Sequence, residues 1–334
     1  MTTRISEIFH EWMGWCPNAT TKRTAPTAIA IPPVTITPSR PDNGAGGSGR
    51  LDRGVNLALG SLQILIWNGR LLWFSILTGL LLVFSLAATF GLQYLSGINP
   101  VAGFGLDTGT LPVLVAKGSA LWLTLTFTSQ FVFVFCSAIL LAGLITSVSF
   151  LFAGRTALVR EGLTSAGNHL LPIAGWSAVY ATVATLQSVV VYLFPENLFL
   201  AFIAGIFFLP LGFITLFVIP LIVLEERDLA SAVRESLSLI RKTWGETLLG
   251  FFVYIVIWFV VAIITLIPAA AIGFPSGNPQ LMSLSMALYL LALMIMMMIY
   301  STAVGIFLVG LYSYAKTGRI PAQFEGKQVV KVPA

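Results

Sequence analysis

Residues 220–250 read PLIVLEERDLASAVRESLSLIRKTWGETLLG. This stretch carries about half of the charged residues found beyond position 155, and long uncharged runs flank it. Its apolar residues fall at Leu229, Val233, Leu237, Ile240 and Trp244, spacings that place them on one face of a helix. Arg227, Arg234 and Arg241 recur every seven residues along a polar flank, with Asp228, Glu235 and Lys242 beside them. Basic side chains over an apolar face describe a helix lying in the headgroup layer. The pattern predicts a surface helix over 227–244 that joins two membrane hairpins. Arg227, Arg234, Arg241, Lys242 and Trp244 are its candidate lipid-interface residues.

Composition fixes the class. Hydrophobic residues make up 57% of the 334 and charged residues only 9%. Soluble chains carry about 25% charge and need it to cover their surface. The expected fold class is therefore an all-α integral membrane protein. A net charge of +5, concentrated outside the apolar runs, favours anionic headgroups as the electrostatic partner and not nucleic acid. Cys16 and Cys136 sit in a tail and an apolar run, and imply neither a disulfide framework nor a zinc site. Arg4, Glu7, His10 and Glu11 interrupt the first residues, so no apolar signal region is expected there.

In chain order, residues 1–50 read as a cytoplasmic tail. Ile5, Ile8, Phe9, Trp12 and Met13 have helical spacing, so a short amphipathic helix over 4–15 is one reading and chance periodicity at a frayed end is another. Residues 17–50 are rich in Pro, Thr, Gly and Ser and read as a disordered linker. A six-helix domain over 51–315 follows, with spans near 71–94, 119–152, 172–194, 198–224, 248–274 and 281–312. The second is too long for the bilayer and must tilt, protrude or break near Gly143. Pro210 should kink the fourth. Residues 316–334 form a polar tail.

The basic residues orient this arrangement. With the N-terminal tail inside and six spans, the inside segments hold 17 Lys and Arg and the outside loops hold only Lys117. Positive charge marks the cytoplasmic side, so both termini are expected there, in the cell membrane. A weak repeat accompanies the pattern, with a cytoplasmic amphipathic segment before each of three hairpins, at 52–69, 155–171 and 227–244. Repeat ancestry and the general habits of hairpin proteins both account for it.

Three stretches carry a resemblance: AGRTALVREGLTSAGNHLLPIAGW (153–176), the opening stretch, and GIFLVGLYSYAKTGRIPAQF (305–324). Together they resemble an uncharacterised family of archaeal and bacterial multi-pass membrane proteins. The central stretch is also similar to the membrane domain attached to some glycerophosphodiester phosphodiesterases. EWMGWCPN and PDNGAGGSGR in the tail look like segments of membrane proteins from methanogenic archaea. The resemblance implies fold and location, and brings no catalytic or binding residue with it.

Ionisable residues deep in a membrane usually mark proton relays or charged-substrate paths. The stretches between Glu246 and Lys316, Lys117 and Arg155, and His169 and Glu196 have none. Interfacial chemistry would have to use exposed groups, for which the candidates are Glu225, Glu226, Asp228, Glu235, His169 and Glu246. The acidic cluster at 225–228 reads better as solvated charge at a helix start than as a cation site. No catalytic, cofactor or metal residue is assigned. Three functions stay open: a non-catalytic membrane module engaging lipids or partner proteins, a transporter or channel for a neutral or apolar solute, and an interfacial lipid enzyme. The N-terminal tail is a candidate docking segment for a protein partner.

Overall fold

A computed structural model describes residues 47–97, 113–155, 158–194, 199, 212, 216–273, 278–318, 320–321 and 324. The tail helix expected over 4–15, the linker up to residue 46, most of the fourth span with Pro210, the turn at 195–197 and the last ten residues lie outside the described residues, while Gly47–Arg50, expected in the disordered linker, are helical. Helix α1 (Gly47–Trp67) leads through a 3-10 turn (Gly69–Leu71) into α2 (Leu72–Leu95). Then come α3 (Ala120–Phe152), α4 (Val159–Gly167), α5 (Leu170–Leu193), α6 (Val218–Glu225), α7 (Leu229–Gly273) and α8 (Pro279–Thr317). No strand occurs among the described residues. Five segments are long and apolar enough to cross a membrane: Gly69–Leu95, Ala120–Phe152, Leu170–Leu193, Leu229–Gly273 and Gln280–Thr317. The fold fits a helical multi-pass membrane protein.

The long helices meet at one level. Phe74 of α2 lies against Gly143 of α3, Leu144 of α3 against Gly305 of α8, and Phe307 of α8 against Gly250 of α7. Ser75 Oγ donates to Thr302 Oγ1 at 2.7 Å within the same layer. From this level to the far ends run 74–95, 120–143, 250–273 and 280–305. Each is about 22–26 residues, or roughly 33–39 Å, enough to cross a ~30 Å hydrocarbon core. Large apolar side chains on these segments, such as Phe84, Phe259 and Leu288, are exposed, as lipid-facing groups are.

Beyond that level the helices overhang, at 144–152, 229–249 and 306–317. Here α3 and the start of the α8 overhang are almost fully buried, and α7 buries one face. Ile145, Val148, Leu221, Ile222, Ile306 and Leu311 form the heart of the core, which α1 and α4 help to close. Of the outcomes expected for the long second span, a break near Gly143 is not seen, because α3 runs unbroken through that residue. That glycine serves packing. A side chain at Gly162 of α4 would strike the Gly143 carbonyl and Ser147 Oγ, so α4 crosses α3 in backbone contact.

The expected surface helix and fifth span are two helical segments that meet at a kink within α7. Only Thr243 departs from helical geometry (φ −112°, ψ 19°), which kinks the helix. Thr243 Oγ1 donates to the Leu239 carbonyl at 3.1 Å, and Thr247 Oγ1 to the Thr243 carbonyl at 2.7 Å. Threonine hydroxyls that bond back one turn bend helices without ending them.

Candidate functional site

The overhanging end carries the ionic groups, and the turn 225–228 organises them. Glu226 caps α6 in the left-handed conformation (φ 53°), and the N–H of the next residue, Arg227, donates to the Leu221 carbonyl at 3.3 Å. Asp228 then caps α7, accepting from the Ser231 N–H at 3.2 Å. The Ser231 hydroxyl, and after it that N–H bond, hold the Asp228 carboxyl below its ordinary value. Two caps back to back turn the chain from α6 into α7. The acidic cluster is therefore built for chain reversal, with each carboxylate in a different role.

Glu225 belongs to a closed ring of charge. Arg227 reaches Glu225 Oε2 at 3.4 Å and Glu235 Oε2 at 3.3 Å. Lys316 reaches Glu225 Oε1 at 2.7 Å and pairs with Glu235 as well. Each carboxylate thus bridges both cations, and the Tyr312 hydroxyl also donates to Glu225. Burial pushes the Glu225 carboxyl up. Lys316, Tyr312 and Arg227 outweigh it and hold the carboxyl below its ordinary value. The ring ties α6, α7 and α8 together at half-exposed positions.

A second polar pair lies deeper. Glu246 is only 2% exposed, which corrects the expectation that it stands among the exposed groups. Its Oε1 meets Arg53 Nη2 of α1 at 3.4 Å and the Tyr314 hydroxyl at 3.4 Å. The Arg53 guanidinium also stands 5.7 Å from the centre of the Tyr314 ring. The sequence hid this pair because its members are 193 residues apart. His169 sits at the junction of α4 and α5, away from any grouping of metal-binding side chains; among the described residues no three such groups converge.

The exposed basic residues make a third feature. Arg234, Arg241 and Lys242 are exposed and form no ion pair among the described residues, and Trp244 is 56% exposed. Arg234 and Arg241 are two turns apart and share a face. Arg227, expected on the same flank, is instead committed to the carboxylate ring. The buried face is also rotated from the one expected. Leu229 and Val233 touch the core and Ile240 is buried, but Ala232, Ser236, Leu239 and Thr243 line the contact and Trp244 faces outward. Small residues at 232 and 236 signal close helix approach, which hydrophobicity alone does not register. Exposed guanidinium and ammonium groups next to an exposed indole can hold a phosphate oxygen at a water–lipid boundary.

The family model described as "Family of unknown function (DUF6159)" matches residues 117–322, more than half of the chain, and the chain belongs to that family. The match takes in α3 to α8 and the whole carboxylate ring, and leaves α1 and α2 outside. No curated protein and no solved structure matches the chain.

Proposed function

We propose that this family member is a non-catalytic module of the cell membrane that engages anionic lipid headgroups through α7. The carrying observation is the exposed set Arg234, Arg241, Lys242 and Trp244 on the overhanging part of α7, of which Trp244 lies nearest the layer at Gly250. Each basic residue near an anionic surface contributes about 1 kcal/mol, so three make a useful but reversible hold. In the accompanying topology the fourth span over 198–224 completes three hairpins, and both termini are cytoplasmic. The N-terminal tail is then free to dock a protein partner.

Lipid retention tests the reading. The full chain, exchanged into nanodiscs of neutral phospholipid with a minor anionic fraction, should enrich the anionic species around itself. The Arg234→Glu, Arg241→Glu, Lys242→Glu variant should lose that enrichment while keeping its fold. Equal enrichment by both proteins would overturn the proposal. Cysteine labelling at positions 20, 107, 196 and 277 tests the topology. Position 20 should react only from the cytoplasmic side and position 107 only from outside.

A further inference from the structure

Glu246 Oε1 takes two contacts and Oε2 takes none. Arg53 Nη2 and the Tyr314 hydroxyl both donate to Oε1, each at 3.4 Å. Oε2 is buried without a hydrogen-bond partner, and so is Arg53 Nε. Among the described residues only four buried side-chain polar atoms lack a partner, so two in one ion pair form a cluster. They are also complementary, because Oε2 can only accept and Nε–H can only donate. Nε and Nη2 share one edge of the guanidinium, the edge that closes on a carboxylate with two parallel bonds of about 2.7–2.9 Å. Here one prong is made, at 3.4 Å, and the other is open.

The open prong has a cause. Tyr314 shares Oε1 with Arg53, whose guanidinium stands 5.7 Å from the centre of the Tyr314 ring. Turning the carboxylate to meet Arg53 with both oxygens would take Oε1 from the tyrosine. The helices have little room to slide and compensate, since a methyl at Gly54 of α1 would lie 2.9 Å from the Glu246 carbonyl oxygen. The unmet donor and acceptor select their guest by charge. The guanidinium repels a cation, the carboxylate repels an anion, and an apolar group satisfies neither atom. A neutral hydroxyl accepts from Nε–H and donates to Oε2. The Glu246 side chain is 3% exposed and that of Arg53 29%, so the site is closed to a bulky molecule but borders solvent along the guanidinium.

We propose that Tyr314 holds the Arg53–Glu246 fork open and that one water molecule binds in it, accepting from Arg53 Nε–H and donating to Glu246 Oε2. Buried waters have about two to four polar partners, and the fork supplies two. Arg53 lies outside the family match, and Glu246 and Tyr314 lie inside it. The water therefore joins α1 to the part of the chain that the family shares. Both partners are needed, so loss of either releases it. The site is independent of lipid binding by α7, because it shares no side chain with Arg234, Arg241, Lys242 or Trp244.

Magnetic resonance on the full chain in nanodiscs tests this, with water as the probe. In protein carrying isotopically labelled arginine, the Arg53 Nε–H signal is the one lost in Arg53→Lys or, independently, the one in contact with the Tyr314 ring protons. It should exchange about tenfold more slowly than the signals of exposed arginines, as buried groups do, and show a cross-peak to water. That cross-peak should have opposite signs in laboratory-frame and rotating-frame spectra, which marks a held molecule and not proton exchange. Tyr314→Phe should abolish the cross-peak by letting the carboxylate close on Arg53 with both oxygens. Absence of the cross-peak in the wild type would overturn the proposal, because the fork would then be closed in solution. So would Nε–H exchange as fast as in exposed arginines, or a cross-peak that survives Tyr314→Phe.

Discussion

Lys316 Nζ lies 2.7 Å from Glu225 Oε1, joining the last turn of α8 to the last residue of α6. Because Arg227 and Glu235 complete the ring, neither cation rests on a single partner. The prediction concerns acid. Glu225 is held below its ordinary value, so its contribution is complete above an unfolded-state value of about 4.3 and disappears as pH falls through the lower folded value. Wild type should therefore be more stable than Glu225→Gln at about pH 6, by about 1 kcal/mol for half-exposed pairs, with the gap closing as acidification protonates the Glu225 carboxylate. Thermal unfolding of both proteins across that range is the check. A gap independent of pH would show that the carboxylate charge is not the source.

The Arg53–Glu246 pair should behave differently because Glu246 is buried. Arg53→Leu strands a carboxylate in the core with Tyr314 as its remaining donor, at a cost of about 3–5 kcal/mol. Removing both charges, Arg53→Leu with Glu246→Leu, should recover most of that loss. A double-mutant cycle by chemical denaturation measures it. A double variant as unstable as the single would mean that helix packing, and not the stranded charge, carries the loss.

Much of this fold was legible because charge and apolar runs alternate sharply. The ends of α2, α3 and α5 fall within about two residues of the expected spans, the usual uncertainty of helix ends. The boundary expected between the surface helix and the fifth span falls beside the kink at Thr243. The partners of the charges were not legible. Heptad spacing placed Arg227 beside Arg234 and Arg241, but its contacts come from a carboxylate two residues back and another eight residues on.

Glu226 is the one described non-glycine residue with positive φ. An L-residue in the left-handed region costs about 1–2 kcal/mol. Its side chain is exposed. Glu226→Gly should therefore leave stability unchanged or raise it by up to about 1 kcal/mol, the gain partly offset by the freer unfolded chain. Glu226→Val should lower it, because a β-branched residue fits this conformation poorly. Melting temperatures of the three proteins decide. A clear loss with glycine would mean that the glutamate side chain itself holds the turn.

Gly162 gives the sharpest test of how the overhang is built. A methyl there would overlap the Gly143 carbonyl and Ser147 Oγ, atoms of a buried stretch of α3. Rotamer changes offer little relief, because one of those atoms is backbone. Overpacking of this kind costs about 1–3 kcal/mol, and here it also lifts α4 off the core. Gly167, five residues on in the same helix, has nothing within 4 Å of an added methyl and serves as the control. Gly162→Ala should lower the melting temperature and expose the α4 region to protease, while Gly167→Ala should do neither. Ser147→Ala should not rescue Gly162→Ala fully, since the backbone overlap at Gly143 persists after the hydroxyl is gone. Full rescue would place the conflict in the side chain alone and would make the close α3–α4 crossing dispensable.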